Sequence, residues 1–360
     1  MIIYYFIFIL LIALTLFFNE KNFFNPFILI SVGILLFILA GFRSEDVSKD
    51  YETYVYSFNI VGTPVDYFLK YDQWSFYEPF YYFIPSVLKI IGVPFFEISV
   101  FIIFAIIGVF FNLRGIQLLT ALVPLSLLQY YSHFFLLHEM TQIRAGVACG
   151  IFLCSIYTYY NKYWLQFIFL SLISFMFQFS GILVLLLLLF KRNSFSIKWQ
   201  LTLIAIAIIL AFLKLELIFE YLFKVNTVFI QKMILTLSSM QEDQNEINVF
   251  NVSFILNLAI TIFLIFHHKL LFSKNKYSYL LLKIQVFSIF VYCALSPIAV
   301  VAFRLYEFLG IVNIVTVPML IYCFRYKVVG YCAAISYALI LFVLNLHFGK
   351  LVNAYSSVFF

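Results

Sequence analysis

Three arginines that lie far apart in this sequence are candidates for binding a phosphate group. Arg43, Arg144 and Arg304 each stand within a few residues of a carboxylate in a chain that carries few charges. A guanidinium group presents five N–H donors in a planar fork, which matches the oxygens of a phosphate or pyrophosphate. Cations placed against developing negative charge also favour the departure of a diphosphate group. The three arginines therefore predict a pyrophosphate site if the fold brings them together.

The first arginine begins a polar segment that follows a hydrophobic stretch. The segment reads Gly41-Phe-Arg-Ser-Glu-Asp-Val-Ser-Lys-Asp-Tyr-Glu-Thr-Tyr54. Asp50 and Tyr54 are four residues apart, so they lie on one face of a helix. We predict that Asp50 acts as an acid or base, or orients a sugar, and that Tyr54 contacts the substrate. The alternative is an arginine that snorkels at the interface, followed by an ordinary solvated helix.

The second arginine lies in His138-Glu-Met-Thr-Gln-Ile-Arg-Ala-Gly146, at the outer end of a helix. Gln142 and Arg144 point into an otherwise apolar span. A charged residue in mid-membrane costs about 2.5–3.5 kcal/mol on insertion scales, so a buried arginine usually faces a partner or a polar cavity. We predict that Gln142 and Arg144 bind substrate and that His138 or Glu139 supplies an acid or base. The alternative is that Arg144 pairs with Glu139.

The third arginine belongs to Arg304-Leu-Tyr-Glu307, between the tenth and eleventh predicted spans. We predict that Arg304, Tyr306 and Glu307 bind substrate on the same outer face as the first two segments. An arginine and a glutamate three residues apart can also pair with each other on a helix. That alternative leaves the segment without a role in binding.

The composition shows what kind of scaffold must position these groups. Of the 360 residues, 65% are apolar, 21% are aromatic and 11% are charged, whereas soluble domains are about 45–50% apolar and about 25% charged. A hydrocarbon core about 30 Å thick needs about 20 apolar residues per helix, and it excludes open sheets. We therefore predict an all-α polytopic membrane protein that forms a single integral domain over residues 1–360.

The net charge of +6 does not indicate nucleic-acid binding. The basic residues lie in short loops, as the positive-inside rule requires, and not in a basic stripe on a soluble fold. The five cysteines sit in apolar runs without metal-ligand spacing, and no Walker A, GxSxG or HExxH motif occurs. We expect no cofactor, no metal and no nucleic-acid partner.

About 12 hydrophobic segments (a range of 10–13) predict transmembrane helices. Their predicted bounds are 2–18, 27–42, 95–111, 116–137, 143–160, 164–176, 180–190, 200–223, 251–267, 280–300, 306–323 and 328–346. The sixth and seventh segments together cover residues 164–190, a length that is long for one helix and short for two. A re-entrant break at Ser180-Gly181 is therefore an open alternative. Two outer loops are long, 43–94 and 224–250. The first carries the amphipathic segment 78–91, in which Pro79 and Pro85 are expected to prevent an uninterrupted helix.

Alternation of the loops places acidic and basic residues on opposite sides. Fourteen of the 16 carboxylates lie at or near one side: Glu45, Asp46, Asp50, Glu52, Asp66, Asp72, Glu78, Glu139, Glu216, Glu220, Glu242, Asp243, Glu246 and Glu307. Eleven basic residues occupy the other side: Lys21, Arg114, Lys162, Lys191, Arg192, Lys198, Lys269, Lys274, Lys276, Arg325 and Lys327. Because lysine and arginine concentrate in cytoplasmic loops, we predict that the basic side is cytoplasmic and that both termini lie outside.

Four short segments resemble the EpsG family of Wzy-type polysaccharide polymerases. They are Arg43 with Asp50-Tyr-Glu-Thr-Tyr54, Glu78-Pro-Phe-Tyr-Tyr82, Gln142-Ile-Arg-Ala-Gly-Val-Ala148 and Arg304-Leu-Tyr-Glu307. They are similar to the family's Arg with a later Asp and a Tyr four residues on, its Glu-Pro-x-Tyr element, its Arg-x-x-x-Ala helix start and its late Arg. Their order and spacing run through about residues 40–325.

The resemblance implies a glycosyltransferase that moves a growing glycan from undecaprenyl pyrophosphate onto a new lipid-linked repeat unit. It implies the outer face of the bacterial cytoplasmic membrane as the place of reaction. Arg43, Arg144 and Arg304 would hold the pyrophosphate, and Asp50, Glu78 or Glu139 would act as acid, base or sugar-orienting group. The implied partners are lipid-linked oligosaccharide and membrane lipid, and a chain-length regulator or other polysaccharide assembly proteins are compatible with this reaction.

One element departs from the family pattern. Relatives commonly show His-x-Ser where this chain has Gln178-Phe-Ser180. If that histidine is a general base in the family, His138 or Glu139 would have to replace it here, and Gln178 would bind substrate.

Two other functions fit part of the same pattern. A polyprenyl-phosphate-sugar-dependent glycosyltransferase or a glycan ligase would share the acidic outer loop and the lipid-linked donor. A flippase for lipid-linked oligosaccharide would place ionisable groups at mid-membrane, whereas the charges here gather at predicted helix ends and the sequence shows no inverted repeat.

Overall fold

The regular structure of the chain is helical. The computed structural model describes residues 1–18, 26–70, 77–213 and 248–359, and these contain 17 α-helices and one isolated antiparallel bridge, between Arg43 and Ser357. The helices are α1 (Ile2–Phe17), α2 (Pro26–Gly41), α3 (Tyr51–Ile60), α4 (Pro64–Leu69), α5 (Pro79–Ile91), α6 (Phe96–Leu119), α7 (Val123–Gln129), α8 (Ile143–Tyr160), α9 (Trp164–Phe177), α10 (Ile197–Leu213), α11 (Val252–Phe266), α12 (His268–Lys274), α13 (Ser278–Ala294), α14 (Ala299–Gly310), α15 (Asn313–Thr316), α16 (Leu320–Cys323) and α17 (Lys327–Val343). Shorter 3₁₀ or π-helical segments are Glu45–Val47, Tyr130–Glu139, Phe179–Leu189, Val317–Met319 and Leu344–Phe348. The prediction of an all-α fold is confirmed.

Several of these helices are long and apolar enough to cross a membrane. Three qualify alone: α6, α8 and Lys327–Phe348, which joins α17 to its π-helical end. Two bent pairs, α11 with α12 at 80° and α14 with Asn313–Cys323 at 41°, raise the number to five if each pair is one span. By length and composition, the described residues therefore hold three to five candidate spans, together with seven shorter apolar helices.

Parts of the predicted organisation lie outside the described residues. These parts are 214–223 of the eighth predicted span and 224–247 of the second outer loop. The same holds for Lys21 and for six of the predicted outer carboxylates: Asp72, Glu216, Glu220, Glu242, Asp243 and Glu246.

Two predicted helix boundaries and one predicted helix break are wrong. The helix predicted to end at residue 111 continues through Arg114 to Leu119, because nothing there breaks a helix and the exposed Arg114 side chain lies on its surface. Arg304 lies within α14 and not in a connection between spans. The segment after Glu78 is one helix, since Pro79 occupies the first turn, where no N–H donor is needed, and Pro85 leaves the later turns intact.

Residues 164–190 form two antiparallel helical segments. α9 ends at Phe177, and the 3₁₀-helix Phe179–Leu189 returns along it. Gly181 permits the close approach, because a Cβ atom there would lie 2.4 Å from the Ser174 backbone. At about 2.0 Å per residue, this 3₁₀-helix covers roughly 22 Å, more than an α-helix of equal length. The break falls at Gln178, just before the predicted Ser180-Gly181.

The central helix of the site region is α8. Of its residues, 83% are buried, compared with 44% of an 18-residue apolar stretch of α6. Small residues permit this packing: a Cβ atom on Gly150 would lie 2.7 Å from the backbone nitrogen of Asn112 in α6. Arg144 is in the first turn of α8, so the best-packed helix of this region also carries one of the three arginines.

Both ends of the chain lie where the first outer loop begins. The C-terminal segment (residues 351–359) runs antiparallel to residues 42–47, and the Ser356 carbonyl accepts a hydrogen bond from the Ser44 N–H at 3.0 Å. The Tyr4 and Tyr355 ring centroids are 6.3 Å apart. The two termini and the start of the loop therefore share one end of the molecule.

This shared end predicts the outcome of topology mapping. An epitope ahead of Met1 should react with antibody in intact spheroplasts, and alkaline phosphatase fused after the C-terminal segment should be active, because the basic loops hold the opposite side in the cytoplasm. As a control, alkaline phosphatase fused after Lys274 should be inactive. The reverse pattern of enzyme activity would contradict the predicted orientation.

Candidate functional site

The most closely connected part of the predicted site is an ion pair between α8 and α5. The Nη1 atom of Arg144 donates a hydrogen bond to Oε2 of Glu78 at 2.5 Å. The same guanidinium lies 4.5 Å from the centroid of the Tyr81 ring, and the Tyr54 hydroxyl is within hydrogen-bonding reach of it. Arg144 is therefore held from three sides, and the alternative in which it pairs with Glu139 is wrong.

Asp50 lies within electrostatic range of all three arginines. It occupies the N-cap position of α3, and its side chain is accessible to solvent. Arg304, Arg144 and Arg43 are all close enough to act on its charge. Partial desolvation by the surrounding protein raises the pKa of the Asp50 carboxyl, while these cations oppose the change. A carboxylate that is accessible and yet surrounded by protein is what a cleft produces.

Arg43 is almost completely buried, with 1% of its surface exposed. Its Nη1 atom donates to the carbonyl oxygen of Ala40, whereas Nε and Nη2 have no hydrogen-bond partner among the described residues. The guanidinium lies 4.6 Å from the Phe101 ring centroid and 5.8 Å from that of Tyr51, and such contacts favour a cation. Burial lowers the pKa of Arg43 to about 10, so it is still charged at neutral pH.

Arg304 approaches the same group from α14. It is exposed, and it is close enough to Arg144 for the two charges to repel, while Glu78 and Asp50 attract it. Two like charges held near each other favour an anion with more than one charge, because binding relieves their repulsion. This arrangement is consistent with a pyrophosphate as ligand.

Glu307 is held by a histidine that sequence reasoning missed. Its Oε2 atom lies 2.8 Å from Nε2 of His133, and this contact, not a pairing with Arg304, fixes the carboxylate. The Nδ2 group of Asn345 lies 3.0 Å from Nδ1 of the same ring and 2.9 Å from the Ser132 carbonyl oxygen. A single histidine in an apolar run gives no sign of a partner 174 residues away in the sequence.

Tyr306 and His138 also belong to the inner part of the bundle. The Tyr306 hydroxyl accepts a hydrogen bond from Asn257 at 2.7 Å. The His138 ring, 2% exposed, packs on Phe134 with centroids 5.6 Å apart. A cavity of about 30 Å³ is lined by Tyr306, Glu307 and His133 among others. Tyr306, Glu307 and His133 therefore line one polar cavity.

The Glu139 carboxylate is buried and packs directly against two glycines, Gly108 and Gly146. A Cβ atom at Gly108 would lie 2.3 Å from one of its carboxylate oxygens, and one at Gly146 would lie 2.7 Å from the other. The Nδ2 group of Asn112 donates to Oε1 at 3.0 Å. Arg43 lies within electrostatic range of this carboxylate. With 1% of its surface exposed, Glu139 is enclosed by protein in this structure.

The two predicted glutamines lie at helix breaks. Gln142 is half-buried at the N-cap position of α8, and its carbonyl oxygen accepts from the Gly146 N–H at 3.2 Å. The Oε1 atom of Gln178 is buried without a hydrogen-bond partner in the part of the chain that the structure describes. The preceding Phe177 lies 4.9 Å from Phe80, which places this break beside the start of α5.

Several partners of the predicted residues carried little signal in the sequence. Tyr81 and Phe101 read as aromatic residues of an interface or a core, yet they contact Arg144 and Arg43. Asn112, a lone amide in the apolar run of α6, was the one signal that could have indicated a buried polar partner. Within residues 1–18, 26–70, 77–213 and 248–359, no group of three or more His, Cys, Asp or Glu side chains could hold a metal ion.

Comparison with known families places this arrangement in context. The family model described as EpsG matches residues 26–357, which include Asp50 and all three arginines. The chain belongs to the EpsG family. EpsG membership links the protein to exopolysaccharide biosynthesis. No curated protein and no solved structure matches the chain.

The close packing of Gly146 against the Glu139 carboxylate predicts a stability effect in this EpsG protein. Gly146→Ala should lower the free energy of unfolding by about 1–3 kcal/mol, the usual result of overpacking, because the new methyl group meets the carboxylate. The measurement is the thermal unfolding midpoint in detergent. Gly310→Ala is the matched control, since the nearest atom to its new Cβ is 3.9 Å away. An unchanged midpoint for Gly146→Ala would show that the space around the Glu139 carboxylate can accommodate a methyl group.

Proposed function

We propose that this EpsG-family protein is a membrane glycosyltransferase of the Wzy-type polymerase class. It joins oligosaccharide repeat units carried on undecaprenyl pyrophosphate at the outer face of the bacterial cytoplasmic membrane. The observation that carries the proposal is that Arg43, Arg144 and Arg304, from three distant parts of the chain, all lie within electrostatic range of the accessible Asp50 carboxylate. Family membership supports the same setting, because EpsG proteins are linked to exopolysaccharide biosynthesis.

The arginines suit the leaving group of this reaction. When the bond between the anomeric carbon and the pyrophosphate oxygen breaks, the electron pair stays with the departing oxygen and its negative charge increases. Preorganised donors that face this charge stabilise the transition state. Arg144 and Arg304 are already close to each other, and two nitrogen atoms of Arg43, Nε and Nη2, have no hydrogen-bond partner among the described residues.

Asp50 is the group we assign as general base. The acceptor hydroxyl of the new repeat unit forms a bond to the anomeric carbon, and its proton passes to the Asp50 carboxylate. A raised pKa makes a carboxylate a better proton acceptor at neutral pH. Glu78 is occupied by Arg144 and Glu139 is buried, so we assign both to holding arginines in place.

We also propose how the chain lies in the membrane. The short apolar helices are assigned as spans together with the long ones, except α5, which stays in the outer loop 43–94. With the predicted span 116–137 this gives about 12 in one integral domain, with both termini outside. Exposed apolar side chains on such helices support this view, for example Ile2 on α1 and Leu165 on α9, which are 87% and 86% exposed. Lipid-linked oligosaccharide is the proposed substrate, and a chain-length regulator or another polysaccharide assembly protein is a proposed partner.

Replacing one arginine tests the function. Arg144→Ala should insert normally but lower the yield of long glycan by about 100-fold or more, the usual effect of removing one electrostatic donor. The measurement is the ladder of lipid-linked glycans in a deletion strain that expresses the variant, where single repeat units should accumulate. Arg114→Ala, which removes an exposed arginine on α6, is the matched control and should give a normal ladder.

Other results would assign other functions. A normal ladder with Arg144→Ala would exclude this arginine from catalysis and overturn the proposal. Addition of one sugar, or transfer of glycan to a different acceptor, would identify a polyprenyl-phosphate-sugar-dependent transferase or a ligase. Purified protein in vesicles that translocates lipid-linked glycan without lengthening it would identify a flippase.

The surroundings of Asp50 predict the pH dependence of the reaction. As a base, Asp50 must be deprotonated, so activity falls as pH drops through its raised pKa. Arg304→Gln removes the cation that opposes this rise most strongly, so the acid limb of the rate profile should move to higher pH. Lys49→Gln is the control and should move the limb in the same direction by less. An unmoved acid limb in Arg304→Gln would exclude Asp50 as the titrating base.

A further inference from the structure

The C-terminal segment is docked on the backbone that carries Arg43. The Ser44 N–H donates to the Ser356 carbonyl at 3.0 Å, and the Val358 N–H donates to the Phe42 carbonyl at 3.1 Å. These two hydrogen bonds flank Arg43 on both sides, and Arg43 itself is paired with Ser357 in the antiparallel bridge. The segment therefore fixes the peptide units on either side of the buried arginine.

Further contacts anchor the same segment. Asn353 donates from its N–H to the Val47 carbonyl at 2.9 Å and from its side chain to the Asp46 carbonyl at 2.7 Å. Val352 is 1% exposed, and the Tyr355 ring meets Tyr4 edge to face. The segment thus has a buried apolar contact as well as backbone pairing.

Arg43 needs such an anchor for a physical reason. Its Nε and Nη2 groups lack partners among the described residues. A buried cation with unsatisfied donors is more stable in water, so its free energy would fall if it moved out of the protein. A loop that was free to shift would allow this movement. The paired backbone keeps the guanidinium on the Phe101 ring and within electrostatic range of Asp50.

We propose that residues 351–359 are a positioning element of the active site, which holds Arg43 in place for the polymerisation reaction. This inference rests on the proposed function. Side chains of neighbouring residues in an extended segment point to opposite faces. Ser44 therefore faces Ser356, with their Oγ atoms 2.5 Å apart, while Arg43 faces the site.

The geometry provides a direct test of docking. In a Cys332→Ser background, which removes the exposed cysteine, Ser44→Cys with Ser356→Cys should form a disulfide on oxidation with copper phenanthroline, because two side chains this close suit disulfide geometry. The pair Ser44→Cys with Ser357→Cys is the control and should stay reduced, since those side chains face opposite sides. The readout is a mobility shift after proteolysis between the two positions.

The function of the segment is tested in the same proteins. Deletion of residues 351–359 should reduce the glycan ladder as strongly as Arg43→Ala. Asn353→Ala should reduce the ladder about fivefold, the effect of losing one hydrogen bond. Adding the Ser44→Cys and Ser356→Cys pair to Asn353→Ala should restore the ladder under oxidation, and dithiothreitol should remove the gain. Because a disulfide also raises global stability, the thermal unfolding midpoint in detergent is measured on the same proteins. The positioning role predicts that Asn353→Ala loses ladder while its midpoint stays within about 1 °C of wild type, and a fall of the midpoint that parallels the loss of ladder would overturn the role.

The outcomes separate this proposal from the function on which it rests. Failure of the disulfide to form, or a cross-link that abolishes the ladder, would overturn the positioning role. A normal ladder in Asn353→Ala and in the deletion, while Arg43→Ala loses it, would also overturn the role but leave the proposed function standing. A normal ladder in Arg144→Ala would overturn the proposed function itself, whatever the variants of the C-terminal segment show.

Discussion

A guanidinium group that leaves bulk water must be held by protein, and the end of this molecule that carries Asp50 is organised around that requirement. Arg144 is held by Glu78 and by the Tyr81 ring. Arg43 lies on an aromatic ring and is restrained through its backbone. Exposed ion pairs contribute little to stability, but desolvated charges must be balanced nearby. The helices, the outer loop and the end of the chain each supply part of that balance around Asp50.

The bundle contains two polar networks, an inner one around His133 and Glu307 and an outer one around the arginines. In the inner one, His133 contacts Glu307 through one ring nitrogen and Asn345 through the other. A network whose members satisfy each other is tolerated inside an apolar bundle. In the outer one, Arg43 retains donors without partners among the described residues and Arg144 lies close to Arg304. The outer network holds three arginines against Asp50 and Glu78, and this excess of positive charge is the basis of the anion site that we propose.

The sequence predicted the helical fold, because composition reports directly on membrane insertion, and its charge spacing singled out the three arginines as candidates. It could not predict their partners, since Glu78 and Glu139 are equally good candidates for Arg144 until the direction of each side chain is known. Glu139 was unavailable because it is enclosed between helices, a property of packing that no local pattern shows. The docking of the C-terminal segment was also invisible, because pairing between residues 300 positions apart leaves no local trace.

The 3₁₀-helix Phe179–Leu189 has a consequence for how its sequence can change. With three residues per turn, side chains three apart lie directly above one another. Gly181, Val184 and Leu187 form one buried column, while Ile182, Leu185 and Leu188 form an exposed one. Substitution in the outward column meets no packed neighbour and needs only to preserve solubility in lipid, whereas the inward column must preserve shape. A run of leucines that looks uniform in the sequence therefore contains positions that tolerate other apolar residues and positions that do not.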